Sequence, residues 1–200
     1  GQAHRTPALV QGEIQHRDSL GHSGSIGGGD IQWMTSGSGI LHEEMPQVRP
    51  EGIGGLQLWL NVPASEKMSR PKYRDLSGER LTETEVEGGA RLRVIAGEAA
   101  AGKLVGPVEG LAVAPKFVDV TLPAGAVFRE AVPRGHTAFA YLDQGEVRFG
   151  PEQKPARAPA LVIFGDGDTV EASAGSSVTV WRRATTRVSI PGSPQRPSTS

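Results

Sequence analysis

The sequence contains no cysteine among its 200 residues. This absence excludes disulfide bonds, thiolate metal sites and a cysteine nucleophile, so a metal site here must use nitrogen and oxygen ligands. Long apolar runs are absent too, because none approaches the roughly 20 residues that a membrane-spanning helix needs. Nothing in the sequence resembles a signal peptide. These absences predict a soluble, cytoplasmic protein that does not enter membranes.

A large excess of one charge is also missing. The 21 Lys and Arg residues nearly balance the 22 Asp and Glu residues, which leaves a formal net charge of −1. A balanced surface has no strong field to attract nucleic acid or anionic lipid. We therefore expect no direct nucleic-acid binding. The Gly-x-Ser-x-Gly motif that carries a nucleophilic serine is absent as well.

Long stretches with a helical apolar period of 3.6 residues are not found. The chain instead has many short segments rich in β-branched and aromatic residues, bounded mostly by Gly, Pro, Asp or Ser. Examples are DIQWM, LQLWLNV, KFVDVTL and SVTVW. This pattern predicts an all-β protein built from barrels or stacked sheets.

A weak internal repeat predicts two copies of one barrel. The segments LVQGEIQH and GGGDIQWM are echoed by YLDQGEVRF and FGDGDTVEA, each copy with a glycine turn between strands and a later Gly-Asp turn. We predict an N-terminal barrel over residues 1–62, a polar inter-barrel segment over 63–90 and a C-terminal barrel over 91–182. The Pro- and Ser-rich residues 183–200 have little apolar surface to bury, so we expect a disordered tail.

Three segments together resemble the pirins, a branch of the cupin superfamily. They are HRDSLGHSGSIGGGDIQWMTSGSGILHEEMP, GLQLWLNVPASEKMSRPKY and AYLDQGEVRFG. The resemblance implies a bicupin, which is two cupin-type jelly-roll β-barrels, with one metal ion, usually Fe(II), in the N-terminal barrel. In that family the ligands are three histidines and a glutamate, supplied by an H-P-H-R-G-[FL]-E motif and an H-x-E-M-P motif.

The second of these motifs is matched by HEEMP. On a β-strand, residues two apart share a face, so His42 and Glu44 should point together while Glu43 points the other way. Imidazole nitrogen and carboxylate oxygen suit Fe(II), Mn(II) and similar divalent transition metals. The simpler alternative is a surface hydrogen-bonded pair, but the flanking match in GILHEEMP favours His42 and Glu44 as metal ligands.

The first motif has no counterpart at the expected place. Counting back from Gly12 places its histidines before Gly1, which indicates a chain truncated at its N-terminus, and the drift from the family pattern after Val180 indicates an incomplete C-terminus too. One alternative is that His4 and Arg5 represent the end of the motif after a four-residue deletion. Against it, Pro7 would interrupt the hydrogen bonding of that strand.

The remaining polar residues of the first half have ordinary interpretations. His16 and His22 are interpreted as surface residues near a hairpin. Asp30 is interpreted as a turn residue, because Asp and Gly favour such turns for local reasons.

The second half lacks the corresponding ligands. Measured from Gly145, the positions equivalent to the H-P-H histidines are Ala131 and Pro133, and the position equivalent to His42 is Val180. We therefore predict no metal site in the second barrel. His136 is interpreted as a fold or surface residue.

Two functions agree with this reading. The first is quercetin 2,3-dioxygenase-type cleavage of a flavonol-like substrate at a non-haem iron, with Glu44 as the catalytic group that accepts a substrate hydroxyl proton. The alternative is a non-enzymatic, iron-dependent transcriptional coregulator that acts through protein partners and is nuclear in a eukaryote. Because the first motif is missing, we expect weak metal binding and low activity from this chain. A monomer is expected in either case.

Overall fold

The structure is a computed structural model. It describes residues 3–50, 52–111, 113–175 and 179–186, and the side chains of residues 3–10 and 179–186 lie outside the description. The predicted disordered tail falls mostly on residues 187–200, which are outside the described residues. The last described strand continues to Thr186, three residues beyond the start that we predicted for the tail.

The first half forms two antiparallel sheets. Its strands are β1 (Ala3–Gln11), β2 (Glu13–Asp18), β3 (Ser23–Gly27), β4 (Ile31–Thr35), β5 (His42–Pro46), β6 (Gly54–Asn61) and β7 (Lys72–Leu76). A four-stranded sheet has the order β6-β1-β4-β7, and a three-stranded sheet has the order β3-β2-β5. Because β2 and β4 come from different sheets, side chains on their facing surfaces meet inside the first barrel.

The second half repeats this arrangement with more strands. They are β8 (Thr84–Glu85), β9 (Arg91–Ala96), β10 (Glu98–Ala99), β11 (Leu104–Val105), β12 (Lys116–Leu122), β13 (Val127–Ala131), β14 (Thr137–Gln144), β15 (Glu146–Phe149), β16 (Lys154–Arg157), β17 (Ala160–Ile163), β18 (Thr169–Ala174) and β19 (Thr179–Thr186). The orders are β17-β14-β19-β12-β9-β8 and β13-β18-β15-β16, and β10 pairs with β11 in a separate hairpin.

The turn glycines confirm the repeat that the sequence predicted. Gly12 separates β1 from β2 with φ +83°, and Gly145 separates β14 from β15 with φ +81°. Both residues therefore occupy the left-handed region, where a side chain is disfavoured. A Cβ on Gly12 would also lie 2.5 Å from the carbonyl oxygen of Gly52. The same corner recurs at the same place in each half.

Apolar side chains fill the second barrel and the contact between the two barrels. Inside the second barrel, Leu92, Val120, Phe128 and Leu142 belong to one buried cluster. A second cluster joins the halves, and its members are Ile31, Trp33, Leu60, Leu76, Leu81, Ile95, Ala96, Val108 and Phe117. Strand alternation explains both clusters, because one face of a strand packs inside its barrel while the other packs between barrels.

The polar segment that we predicted between the barrels contributes strands to both of them. β7 adds to the edge of the first four-stranded sheet by pairing with β4, and β8 pairs with β9 of the second barrel. Helix is confined, among the described residues, to two short 3-10 turns, Ala64–Glu66 and Gly78–Arg80. In the described part of the chain no helix has the length and apolar character to cross a membrane.

Candidate metal site in the first barrel

The side chains of HEEMP alternate as the strand period predicts. On β5, His42 and Glu44 are partly buried and Glu43 is exposed. His42 Nε2 lies 3.7 Å from Glu44 Oε1. The prediction that the two candidate ligands share the inner face, with Glu43 on the other face, is confirmed.

The neighbouring strand β2 places two further polar side chains beside this pair. In the β2–β5 ladder His16 pairs with Glu44, and Asp18 pairs with His42. Cross-strand partners on one face have Cβ atoms about 4.5–5.5 Å apart. Two imidazoles and two carboxylates therefore lie close together on the wall of the first barrel, whereas the buried cluster of the second barrel is made of apolar side chains.

The interpretation of His16 as a surface residue is wrong. His16 is only 4% exposed, and its ring contacts side chains that come from the opposite sheet. His16 Nδ1 lies 3.1 Å from Gln32 Nε2, and His16 Nε2 lies 2.5 Å from the Tyr73 hydroxyl. The Tyr73 hydroxyl donates in turn to Asp75 Oδ1. His16 shares its strand face with Ile14, and this parity was the signal in the sequence that it points inward.

His22, by contrast, is a surface residue as predicted, since half of its side chain is exposed. Its Nδ1 lies 2.8 Å from Asp18 Oδ2, and its ring stacks on Tyr73 at a centroid distance of 5.6 Å. Burial alone would raise the pKa of Asp18. Hydrogen bonds from the His22 ring and from the backbone N–H groups of His22 and Leu20 outweigh that effect and hold the pKa below its ordinary value. Asp18 is thus ionised beside the candidate ligands at neutral pH.

The His42–Glu44 pair fits one divalent transition metal. Two donors each about 2.1 Å from a common ion lie at most about 4.2 Å apart, so the observed 3.7 Å is within reach. Glu44 Oε1 is buried and has no hydrogen-bond partner among the described residues, which is the state expected of an oxygen that serves a cation. Glu44 Oε2 accepts from Gln57 Nε2 at 3.4 Å.

A complete ligand set is not seen within the described ranges. No group of three or more His, Cys, Asp or Glu side chains there is arranged to hold a metal ion. The alternative that His4 completes the site rests on a side chain outside the described residues. The backbone of His4 pairs with Thr35 and Leu60, and Pro7 is accommodated within the same strand opposite Gln57.

Asp30 is confirmed as a turn residue. Its Oδ2 accepts the backbone N–H of Gly27 at 2.8 Å, and its Oδ1 accepts the N–H of Gly78 at 2.7 Å. The carboxylate therefore closes its own turn and also ties that turn to the segment after β7. Both carboxylate oxygens therefore stabilise the fold and do not bind a ligand.

In the second barrel, two of the predicted counterparts of the ligands lie on strands. Ala131 ends β13, and Val180 belongs to β19, whose side chains are not described. His136 lies with Pro133 at a cleft of about 680 Å³, and its Nδ1 is buried with no hydrogen-bond partner among the described residues. His136 is thus partly buried, in agreement with a role in the fold.

The geometry of the first barrel coincides with a sequence match. The sequence model of the Pirin family matches residues 6–60, a range that includes β2, β4 and the HEEMP strand β5. Pirin-1 of Arabidopsis thaliana is 41% identical over 181 residues, which are 90% of this chain and 58% of that protein. The chain belongs to the pirin family.

Other pirins and their structural relatives agree with this assignment. Human pirin is 37% identical over 167 residues, which cover 82% of this pirin chain and 55% of the human protein. The crystal structure of a quercetin 2,3-dioxygenase from Acinetobacter baumannii has a TM-score of 0.80 and 30% identity, and the match covers 93% of this chain and 65% of that one. The predicted all-β bicupin fold is confirmed. The pirin chain spans somewhat more than half the length of these curated relatives.

Proposed function

We propose that the first barrel is a divalent-metal centre of the pirin type, with iron as its metal, and that its chemistry is quercetin 2,3-dioxygenase-type cleavage of a flavonol. The observation that supports the proposal most is the state of Glu44. Its Oε1 is buried without a hydrogen-bond partner among the described residues and faces His42 Nε2 at 3.7 Å. Similarity to the Acinetobacter quercetin 2,3-dioxygenase supports the choice of reaction.

The two oxygens of Glu44 can take different roles in this reaction. Oε1, beside His42, would bind the metal, and the metal when bound would supply Lewis acidity toward the hydroxyl and carbonyl oxygens of the flavonol. Oε2 lies on the other side, where the Gln57 amide donates to it and orients the carboxylate. A substrate hydroxyl placed at Oε2 could give its proton to Glu44, which is general-base catalysis.

A second candidate is a non-enzymatic, iron-dependent coregulator of transcription that acts through a protein partner. The polar surroundings of the candidate ligands favour it, because His16 and Asp18 stand directly across from them. Pockets for flat apolar ligands are lined mainly by hydrophobic and aromatic side chains, and this wall is charged. Cytoplasmic or nuclear location and the monomeric state remain predictions under either function.

Fe(II) is expected to stabilise the 200-residue chain only slightly. A competent site with metal at about 100 times its Kd would gain roughly 2.7 kcal/mol. With only His42 and Glu44 as ligands among the described side chains, we expect a gain below about 1 kcal/mol at the same metal concentration, because half of a four-ligand set provides neither the charge nor the geometry of a selective site. Thermal unfolding under anaerobic conditions, with and without Fe(II), measures the gain.

Two histidine variants separate specific binding from nonspecific effects. His42→Ala should abolish the gain, while His136→Ala, which removes a histidine of the second barrel, should retain it. A gain that survives His42→Ala would contradict the assignment of the site. A large gain that vanishes in His42→Ala would show that a further side chain, such as His4, completes the ligand set.

Quercetin consumption tests the reaction itself. With excess Fe(II) and dioxygen, the chain should consume quercetin slowly, with one dioxygen taken up per flavonol cleaved. Glu44→Gln should lower the rate by at least about tenfold, because it removes the base and weakens the metal site, and the exposed Glu43→Gln is its matched control. Equal rates in these two variants would refute the role of Glu44. Fe(II)-dependent stabilisation without quercetin consumption in any variant would favour the coregulator.

A further inference from the structure

His16 and Glu44 differ in how completely their polar atoms are hydrogen-bonded. The two residues are cross-strand partners on one face of the β2–β5 ladder, so an imidazole N–H of His16 could reach the Glu44 carboxylate. Yet both ring nitrogens of His16 are engaged by Gln32 and Tyr73 from the opposite sheet. Glu44 Oε1 meanwhile has no hydrogen-bond partner among the described residues.

The direction of each hydrogen bond in this network follows from the groups involved. The Gln32 amide nitrogen can only donate, so His16 Nδ1 accepts in the tautomer that carries its proton on Nε2. His16 Nε2–H then donates to the Tyr73 oxygen, which also accepts from Gln32 Nε2. Burial and the hydrogen bond to Asp75 raise the pKa of Tyr73, so the phenol keeps the proton that it donates to Asp75.

We propose that Gln32 and Tyr73 are positioning residues that hold the His16 ring away from Glu44 and thereby leave Glu44 Oε1 available to a cation. This inference rests on the proposed metal centre for its function. The hydrogen-bond arrangement by which it works can be tested without metal.

The packing around the ring supports a fixed orientation. A Cβ on Gly24, across the β2–β3 ladder from His16, would lie 2.8 Å from His16 Cε1 and 3.3 Å from Asp75 Oδ2. Only glycine leaves room for the ring in this position. The ring is therefore held by Gly24 on one side and by hydrogen bonds to side chains of β4 and β7.

Tyr73→Phe should release the ring. Without the hydroxyl, His16 Nε2–H loses its acceptor and becomes free to donate to Glu44 Oε1, which has no hydrogen-bond partner among the described residues. In the full chain labelled with ¹⁵N-histidine, His16 should be the Nε2–H tautomer, and its ring signals should not change in Glu44→Gln. In the Tyr73→Phe background the same Glu44→Gln change should shift them. Tyr141→Phe, in the second barrel, is the matched control and should leave the His16 signals as in the wild type.

Ni(II) provides the second readout, through paramagnetic broadening of the His42 signals in a titration. A hydrogen bond between His16 and Glu44 competes with the ion, so the apparent Kd for Ni(II) should rise about fivefold in Tyr73→Phe and stay unchanged in Tyr141→Phe. Gly24→Ala should act in the same direction by displacing the ring, which gives a second test if Tyr73→Phe folds poorly.

The outcomes separate this inference from the proposed function. His16 signals that respond to Glu44→Gln already in the wild type, or that fail to respond in the Tyr73→Phe background, overturn the inference whatever the metal does. An unchanged Kd for Ni(II) in Tyr73→Phe also overturns it. The absence of any Ni(II) effect on His42 in the wild type would instead refute the metal centre, and the positioning role with it, even where the tautomer results hold.

Discussion

Lys116→Met is expected to lower the free energy of unfolding by about 3–5 kcal/mol, since it leaves a buried carboxylate without its cation. Lys116 Nζ lies 2.6 Å from Glu130 Oε1, and the Glu130 side chain is only 4% exposed. Glu130 Oε2 accepts the backbone N–H of Ala100 at 3.0 Å, and that bond alone does not balance a buried charge. Urea unfolding followed by circular dichroism measures the loss.

A double variant and a surface control make this prediction specific. Lys116→Met with Glu130→Leu removes both charges and should recover much of the lost stability, because apolar replacement of a buried ion pair is often neutral. Lys154→Ala removes an exposed lysine paired with Glu152, and it should leave stability unchanged. The prediction fails if Lys116→Met is as stable as Lys154→Ala, or if the double variant is the least stable of the three.

Gly88→Ala is the second change with a large expected effect. Gly88 lies in the turn between β8 and β9 of the second barrel with φ +88°, and an added Cβ would be 2.2 Å from the carbonyl oxygen of Val127. Its own carbonyl accepts the N–H of Val127 at 2.9 Å, so the clash falls on a hydrogen-bonded contact with β13. We expect two costs, about 1–2 kcal/mol from the left-handed backbone and about 1–3 kcal/mol from the forced shift.

Gly21→Ala separates these two costs. Gly21 has the same φ of +88°, but an added Cβ would meet nothing within 4 Å. This variant should lose only the backbone contribution, so the difference between the two variants measures the contact with Val127. Both free energies of unfolding come from urea titrations under one set of conditions. Equal losses of unfolding free energy at Gly88 and Gly21 would show that the contact with Val127 adjusts to the added Cβ without an energetic cost.

The candidate site was predictable from sequence where it depends on one strand. His42 and Glu44 share a face because side chains alternate along β5, and this needs no knowledge of the rest of the molecule. The role of His16 was missed, although the same alternation placed it beside Ile14. Its partners Gln32 and Tyr73 lie 16 and 57 residues further along the chain, so only the closure of the two sheets shows that its ring is buried.

The polar segment shows the same limit for the fold. Residues 63–90 were expected to lie between the barrels because they are charged and contain few strand signals. β7 nevertheless joins the first sheet, since its register sets Leu76 opposite Ile31 in the inter-barrel core and Tyr73 opposite Met34 on the inner face. A short strand with one strongly buried residue is stabilised by the residues it packs against on the neighbouring strand. Local composition does not show which residues those will be.

By itself, the sequence determined the all-β class, the two-barrel repeat and the shared face of His42 and Glu44, because each depends on local alternation or on turn residues repeated along the chain. Only the tertiary structure decided that Lys116 pairs with Glu130, that β7 and β8 belong to different barrels, and that the ring of His16 turns to Tyr73 and not to Glu44. These features depend on which sheets face each other. Long-range packing sets that arrangement, and the residue pattern of a single strand does not specify it.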